Sequence, residues 1–349
     1  MEIYPFPPRL TQSPYLDALY AEFPATVHID RRSPRRSLWR MVFGRGQRLF
    51  HVHFFDAVVQ HPNRMLCWVR SLCWVLLLAF IRARGVRIVW TVHNLQPHEC
   101  YHPDIAQRTI GRVIRQCHAL TVHHHCTKVL IQNTYQGTPN IHIIAHGHAR
   151  EPFGPLPSRS SARASLGLDS DVPVFLYLGM IRRYKGLEGI IEAMSLLPQT
   201  LLIIAGHPGD KTYLSEIHQR TARSINISLH PRFLSDAEAA RYLAACDGLV
   251  LPYTEITTSG MLVAAQASGV VCVVPNLPPL VEQVRDGVDG FVYLHGNTQS
   301  LVAALERLIA SPDRDAIGRR AKASLSGNTW PVVASQFHAL FVTVLRNQR

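Results

Sequence analysis

Short apolar runs alternate with longer amphipathic stretches along almost the whole chain, the pattern of parallel strands separated by helices. In the first half, residues 48–53 (RLFHVH), 86–92, 119–123 and 141–145 are expected as strands, with helices near 14–23, 64–84 and 105–117. In the second half, strands are expected at 174–178, 201–205, 225–229, 248–251 and 270–274. Helices are expected there at 187–197, 212–223, 236–246, 259–268, 280–286 and 298–310. The fold class is therefore α/β, with two doubly wound domains facing each other across a cleft. The first covers residues 1–150 and the second 172–330. Residues 151–171, rich in Pro and Ser, read as a linker. A closing helix over 331–349 is expected to return toward the first domain. Ligands of such sheets bind beyond the carboxyl ends of the strands, so the loops after strands are where chemistry is expected.

Length agrees with this division: 349 residues suit two domains of roughly 150 to 170 each. The 47% hydrophobic and 17% charged composition is that of an ordered globular chain. The seven cysteines are scattered and form no CxxC pair. That usage fits free thiols in a reducing compartment, with neither a disulfide framework nor a zinc site. The start, MEIYPFPPRL, lacks a basic segment followed by an apolar one, so no signal peptide is read and a cytoplasmic location is expected.

Charge changes the picture more. Of the net +12, residues 1–160 hold 19 Lys and Arg against 8 Asp and Glu, whereas the remainder holds 17 against 16. A basic first half attracts anions: nucleic acid, a phosphorylated substrate or an acidic inner leaflet. Helix-turn-helix, RNP-like and zinc-finger signatures are absent, so nucleic acid is not the expected partner. Within 64–84 the uncharged stretch 71–81 has 11 residues, too short for the roughly 20 of a bilayer span. That helix reads either as a core helix or as one whose Trp68, Trp74, Arg70, Arg82 and Arg84 lie against a membrane surface.

Three loops of the second half carry the chemistry. In FLYLGMIRRYKG a strand ends at Gly179, which lets the backbone approach a ligand, and Arg182, Arg183 and Lys185 follow. Fixed cations can neutralise a departing diphosphate without a metal. In LPYTEITTSGMLVAAQASG, Glu255, Thr257, Thr258 and Ser259 precede a helix opened by Gly260, a phosphate-binding arrangement that is also an ordinary helix cap. In PNLPPLVEQVRDGVDG, Glu282 is placed to accept hydroxyls of a ribose or to be a solvated helix residue. Phe233, with Arg232 and Leu234, follows another strand, where backbone groups can meet a base. In the first half WTVHNLQPHE sets His93 and Asn94 directly after a strand and His98 and Glu99 a turn later, as candidates to take an acceptor proton or bind the sugar. His51 and His53 share one strand face. His123, His124, His125 and Cys126 are consecutive and so diverge, and no metal site is expected there. Gly147, in the His146–His148 turn, is expected to permit a tight bend.

Together these segments resemble the GT-B glycosyltransferases, in particular the large family-4-like group, over nearly the whole chain. The resemblance implies two Rossmann-like domains. FLYLGMIRRYKG resembles the group's diphosphate motif and implies that Arg182 and Lys185 contact donor phosphates. TVHNLQPHE is similar to the motif whose histidine, here His93, meets the transferred sugar or the acceptor. AHGH resembles the turn ending the first domain, with Ala145 in place of proline. LPYTEITTSG and PLVEQVRDGVDGF resemble the donor loop and the acidic turn after it. The second glutamate of the group's E-x7-E pattern is replaced by Ala264. The chain is more similar to xanthan-type β-mannosyltransferases, also through SPYLDALYAEF. That implies a nucleotide-sugar donor (GDP-mannose, or else a UDP-sugar), no other cofactor, and a lipid-linked saccharide acceptor at the inner face of a membrane. If the outcome is inverting, a side chain must act as base, Glu99 or His93 being the candidates. Two other readings stand beside this one: a nucleotide-binding or regulatory module of the same fold with a degenerate site, and a nucleic-acid binder.

Overall fold

The computed structural model describes residues 1–10, 14–32, 34–95 and 100–346, with the side chains of 34–36 left aside. The chain divides into two compact units, residues 1–147 with 330–349, and residues 148–329.

Unit 1 is built on six parallel strands, Glu2–Phe6 (β1), His28–Ile29 (β2), Arg48–Val52 (β3), Arg87–Thr91 (β4), Ala119–Val122 (β5) and Asn140–Ile143 (β6), in the order β2-β1-β3-β4-β5-β6. The first two strands were not expected from the sequence, since β1 contains Pro5. A proline costs a strand one ladder donor. Here it costs nothing, because β2 pairs only with Glu2 and Ile3, leaving the β2 side of β1 unpaired at Pro5. Alternate residues cover both faces. Val52, Trp90, Val92, Leu120 and Val122 pack against the helices Arg64–Ala83 and Pro103–Gln116, whereas Ile3, Leu49, Val89 and Ala119 face Tyr15–Ala21 and Trp330–Arg346. The closing helix thus belongs to unit 1, with Phe337 and Phe341 fully buried.

The helix Arg64–Ala83 is 20 residues long and apolar enough, by length and composition, to cross a membrane. It nevertheless buries Cys67, Ser71, Trp74, Leu78 and Ile81 under the sheet, while its opposite side leaves Met65, Trp68, Leu76 and Phe80 exposed. The core reading holds for the buried side, which also takes Trp74, expected at a membrane surface; of that expected set Trp68, Arg70, Arg82 and Arg84 are exposed.

Unit 2 holds Val174–Leu178 (β7), Leu201–Ala205 (β8), Ile227–His230 (β9), Gly248–Val250 (β10), Cys272–Pro275 (β11) and Phe291–Tyr293 (β12), all parallel, in the order β12-β11-β10-β7-β8-β9. Its strands other than the edge strand β9 are apolar on both faces, as a parallel sheet covered on both sides requires; β9 sets Ser228 and His230 on one face. Residues 151–171, expected as a linker, instead belong to this unit. The helix Arg159–Ser165 buries Arg163, whose guanidinium meets Asp247 Oδ2 at 2.9 Å. Asp247, 1% exposed at its side chain, also accepts from Arg159 at 2.6 Å, Arg314 at 2.8 Å and the Val174 N–H at 2.8 Å. A Pro- and Ser-rich composition hid this anchor because its partner lies more than 80 residues away.

Candidate functional site

In unit 2 the chain leaves β7 toward β8 and β9 on one side and places β10 on the other, so the strand order reverses between β7 and β10. That reversal is where open α/β sheets bind ligands. The two loops singled out by sequence are those that leave these two strands.

After β7, the Gly179 N–H donates to Ala205 O at 3.1 Å. Gly179 and Gly206 both have φ of 147°, and a Cβ on Gly206 would lie 1.8 Å from Gly179 O. Only glycine allows this backbone contact. Ile181 donates to His207 O and Gly209 to Ile181 O, zipping the two loops. The Arg182 side chain runs over Gly209, where a Cβ would fall 2.5 Å from its Nε. Arg183 turns away to pair with Glu216 at 2.7 Å, its guanidinium over the Tyr213 ring. Of the three cations in this motif, then, Arg183 is spent on the scaffold.

Lys185 Nζ lies 4.1 Å from the centroid of Tyr253 and 4.7 Å from that of Tyr184. Among the described residues no carboxylate pairs with it. Burial, with Arg182 beside it, lowers its pKa to about 7. The two loops are stitched together: Thr254 N–H and Oγ1 both donate to Tyr184 O, and a Cβ on Gly186 would strike Pro252 O at 2.1 Å.

After β10, Ser259 caps the helix Gly260–Ala267 by accepting from the Leu262 N–H at 3.1 Å. Its Oγ also lies 3.0 Å from the Tyr253 hydroxyl. Tyr253 therefore carries Lys185 on its ring and the helix cap on its hydroxyl, joining both phosphate-type elements. The sequence places Tyr253 in the donor-loop segment LPYTE but assigns it no role of its own. Thr258 Oγ1 is buried without a hydrogen-bond partner, Thr257 is half-buried, and Glu255 and Gly260 are exposed. Gly206 and Gly209 were also missed; the signal was a glycine-rich loop, AGHPGD, directly after an apolar run.

Phe233, 76% exposed, lies on the loop after β9, two strands from β7. Glu282 is the C-cap of the short helix Pro278–Val281 after β11 and is exposed; the helix stops five residues sooner than periodicity suggests. Ala264 sits inside the helix behind the β10 loop.

Unit 1 gathers a different set. On three neighbouring strands the face under Tyr15–Ala21 and Trp330–Arg346 turns from apolar to polar toward the carboxyl edge. It reads Leu49-His51-His53, Val89-Thr91-His93 and Ala119-Thr121-His123. His53 Nδ1 lies 3.1 Å from His93 Nε2, and His93 Nδ1 3.3 Å from His123 Nε2. His93 is buried, stacked on Phe54 at 4.3 Å and met edge-on by Tyr15 at 4.7 Å. Burial holds the pKa values of His51, His53 and His93 well below the ordinary imidazole range and lowers that of His123 to about 3. Both nitrogens of His93 are engaged, so acting as a base would first break its bond with His53. Glu99 and His98 lie outside the described residues. Gly147 has no left-handed φ; it is required because a Cβ there would lie 2.2 Å from Trp330 Cε3.

Among known proteins, residues 158–324 match the family described as glycosyl transferases group 1. The chain is 26% identical over 347 residues to a GDP-mannose:glycolipid 4-beta-D-mannosyltransferase of Xanthomonas campestris pv. campestris, covering 97% of this chain and 90% of the other. In structure it is similar to Anabaena HepE solved with UDP (TM-score 0.74, 17% identity, 98% of this chain and 99% of that one). It is also similar to a sucrose-phosphate synthase from Thermosynechococcus elongatus (TM-score 0.70, 17% identity, 93% and 82%). Residues 158–324 form a glycosyl transferases group 1 domain, and the chain is a glycosyltransferase of the GT-B fold.

Proposed function

We propose that the chain moves mannose from GDP-mannose to a lipid-linked saccharide in exopolysaccharide or glycolipid synthesis, working at the cytoplasmic face of a membrane. The observation that carries the donor half is the pair of loops at the reversal point of unit 2, joined through Tyr253. As the bond to the sugar breaks, negative charge grows on the departing diphosphate. Arg182, Lys185 and the N-terminus of the helix Gly260–Ala267 are the groups that stabilise it. Thr258 Oγ1 supplies a buried hydroxyl in need of a partner. The choice of GDP-mannose and of a glycolipid acceptor is supported by the full-length similarity to the Xanthomonas enzyme of that name.

The membrane half is supported by unit 1. Trp39, Phe43, Met65, Trp68, Leu76 and Phe80 are exposed on the helices Pro34–Phe43 and Arg64–Ala83. Arg84 lies over the Phe43 ring where the two helices end near each other. Amphipathic rings beside arginines suit the interface of an anionic bilayer.

Thermal-shift measurement against GDP-mannose, UDP-glucose, UDP-glucuronate and GDP tests the donor, since a ligand of the folded state raises the midpoint. GDP-mannose is expected to raise it most. Purified full chain that neither binds nor turns over any GDP- or UDP-sugar ends this reading. Co-sedimentation with vesicles containing phosphatidylglycerol tests the membrane half; binding equal to that on neutral vesicles counts against it.

A further inference from the structure

The polar layer of unit 1 has a direction, and one atom sets it. The carbonyl of Ile144 can only accept, so the proton of His123 is on Nδ1, 2.8 Å away. With the rings neutral, His123 Nε2 has only a lone pair and accepts from His93 Nδ1–H. His93 Nε2 then accepts from His53 Nδ1–H, and His53 Nε2 accepts from the Tyr20 hydroxyl at 3.0 Å. The Tyr20 oxygen in turn accepts from His51 Nδ1–H at 2.7 Å. His51 Nε2 accepts from the Thr91 hydroxyl, and Thr91 from Thr121, each at 2.7 Å. Every donor and acceptor from Thr121 to Ile144 follows from that one carbonyl.

Such a chain does not conduct protons. Its far end is a carbonyl, which cannot hand one on, and Thr121, at its other end, is itself buried. Its surroundings keep the rings neutral. The helix Trp330–Arg346 sets Phe337 and Phe341 against His51 and Trp330 against Tyr15. Among the described residues the titratable groups beside it are Tyr15, His146, His124 next to His123 and, across the Tyr20 ring, Arg31.

We propose that this one-directional chain makes His53 and His123 positioning residues for His93, holding its ring as the neutral Nδ1–H form at the carboxyl edge of the unit 1 sheet. His93 then serves transfer as a fixed polar ring and accepts no proton from the acceptor. This role in transfer rests on the function proposed above; the locked tautomer does not.

The test uses full-length protein labelled with 15N-histidine at pH 7.5. His51, His53, His93 and His123 are each expected as the Nδ1–H tautomer. A charged His93, or one carrying its proton on Nε2, overturns the proposal. For the role in transfer, His123→Leu removes the acceptor for His93 Nδ1–H and is expected to lower kcat by about 10- to 100-fold, as loss of a histidine-orienting partner does. KM for GDP-mannose should stay within about twofold. His123→Gln restores an acceptor and should recover most of kcat. Wild-type kcat in His123→Leu, or no recovery in His123→Gln, sinks the positioning role. Should His123→Leu not fold, Tyr20→Phe removes a single hydroxyl from the same chain. Because His53 and His93 take their direction from the Ile144 end, both should keep Nδ1–H in that variant while His51, beyond the lost hydroxyl, changes tautomer; a His53 or His93 that changes, or a His51 that does not, refutes the proposal. A wild type that turns over no sugar nucleotide removes the transfer reading and the positioning role with it, while the spectrum still decides the lock.

Discussion

The two units share a plan of six parallel strands between helices, yet they treat polar chemistry in opposite ways. Apart from Ser228 and His230 on the edge strand β9, unit 2 keeps both faces of its sheet apolar and sets Lys185 and Ser259 on the loops beyond β7 and β10, where they meet through Tyr253. Unit 1 brings polar groups inside, onto the covered face of β3, β4 and β5. Desolvation acts on both. In unit 2 it leaves an amine poised to regain its charge when an anion arrives. In unit 1 it keeps imidazoles neutral and lets a hydrogen-bond pattern, not charge, define the site. A strand order alone therefore does not say where a Rossmann-like unit will keep its reactive groups.

Acid should break this contrast most strongly. His51, His53, His93 and His123 have folded-state pKa values below the unfolded one, so below about pH 6.5 the unfolded chain binds more protons and stability is lost as pH falls. Each contributes up to about 1.4 kcal/mol per pH unit once pH is well below the ordinary imidazole value, so four together reach up to about 5.5 kcal/mol per unit. Hydrogen exchange followed from pH 7.5 to 5.5 should show peptides of residues 1–147 opening before those of 148–329. Simultaneous opening would mean that the layer is not the weak point.

Lys185→Ala comes next. It should lower kcat/KM for sugar transfer by about 10²- to 10³-fold, the usual cost of removing one group that stabilises developing charge, with the thermal midpoint little changed. Lys185 also offers a finer measurement. Calorimetry of GDP binding near pH 7.5, in buffers of different ionisation enthalpy, should show net proton uptake. Lys185→Arg should abolish the uptake, because a guanidinium stays charged. A smaller effect is expected at the loop contact of unit 2: Gly206→Ala places a Cβ against Gly179 O and should destabilise by about 2 to 3 kcal/mol in urea unfolding. Smallest is Tyr253→Phe. It keeps the ring under Lys185 and loses the bond to Ser259, costing about 1 kcal/mol.

The unit 2 motifs were legible because their parts lie close together in sequence. A glycine after an apolar run, two cations and a Thr-Thr-Ser-Gly helix start all fall within single loops, and each has a local physical reason. Arg183 shows the limit, since nothing in RRYKG says which arginine will turn to Glu216. In unit 1 the alternation of His51 and His53 put them on one face. Their link to Thr91, His93 and His123 depends on strand register across some 70 residues, which periodicity does not report. The short strands β1 and β2 were invisible for a related reason: a two-residue strand and a proline become a sheet edge only once β3 is beside them. The anchor at Asp247 required the same knowledge of distant partners.

The return of the last helix to unit 1 bears on synthesis. Residues 148–329 form an insertion within the other unit, whose core requires Phe337 and Phe341 from the end of the chain. On a ribosome the unit that begins first is the one that finishes last, because its inner face stays uncovered until residue 346 or so has emerged. Until then His51 has no aromatic cover from that helix, and the Gly147 backbone waits for Trp330. A chain stopped near residue 329 would release a complete unit 2 attached to an unfinished unit 1.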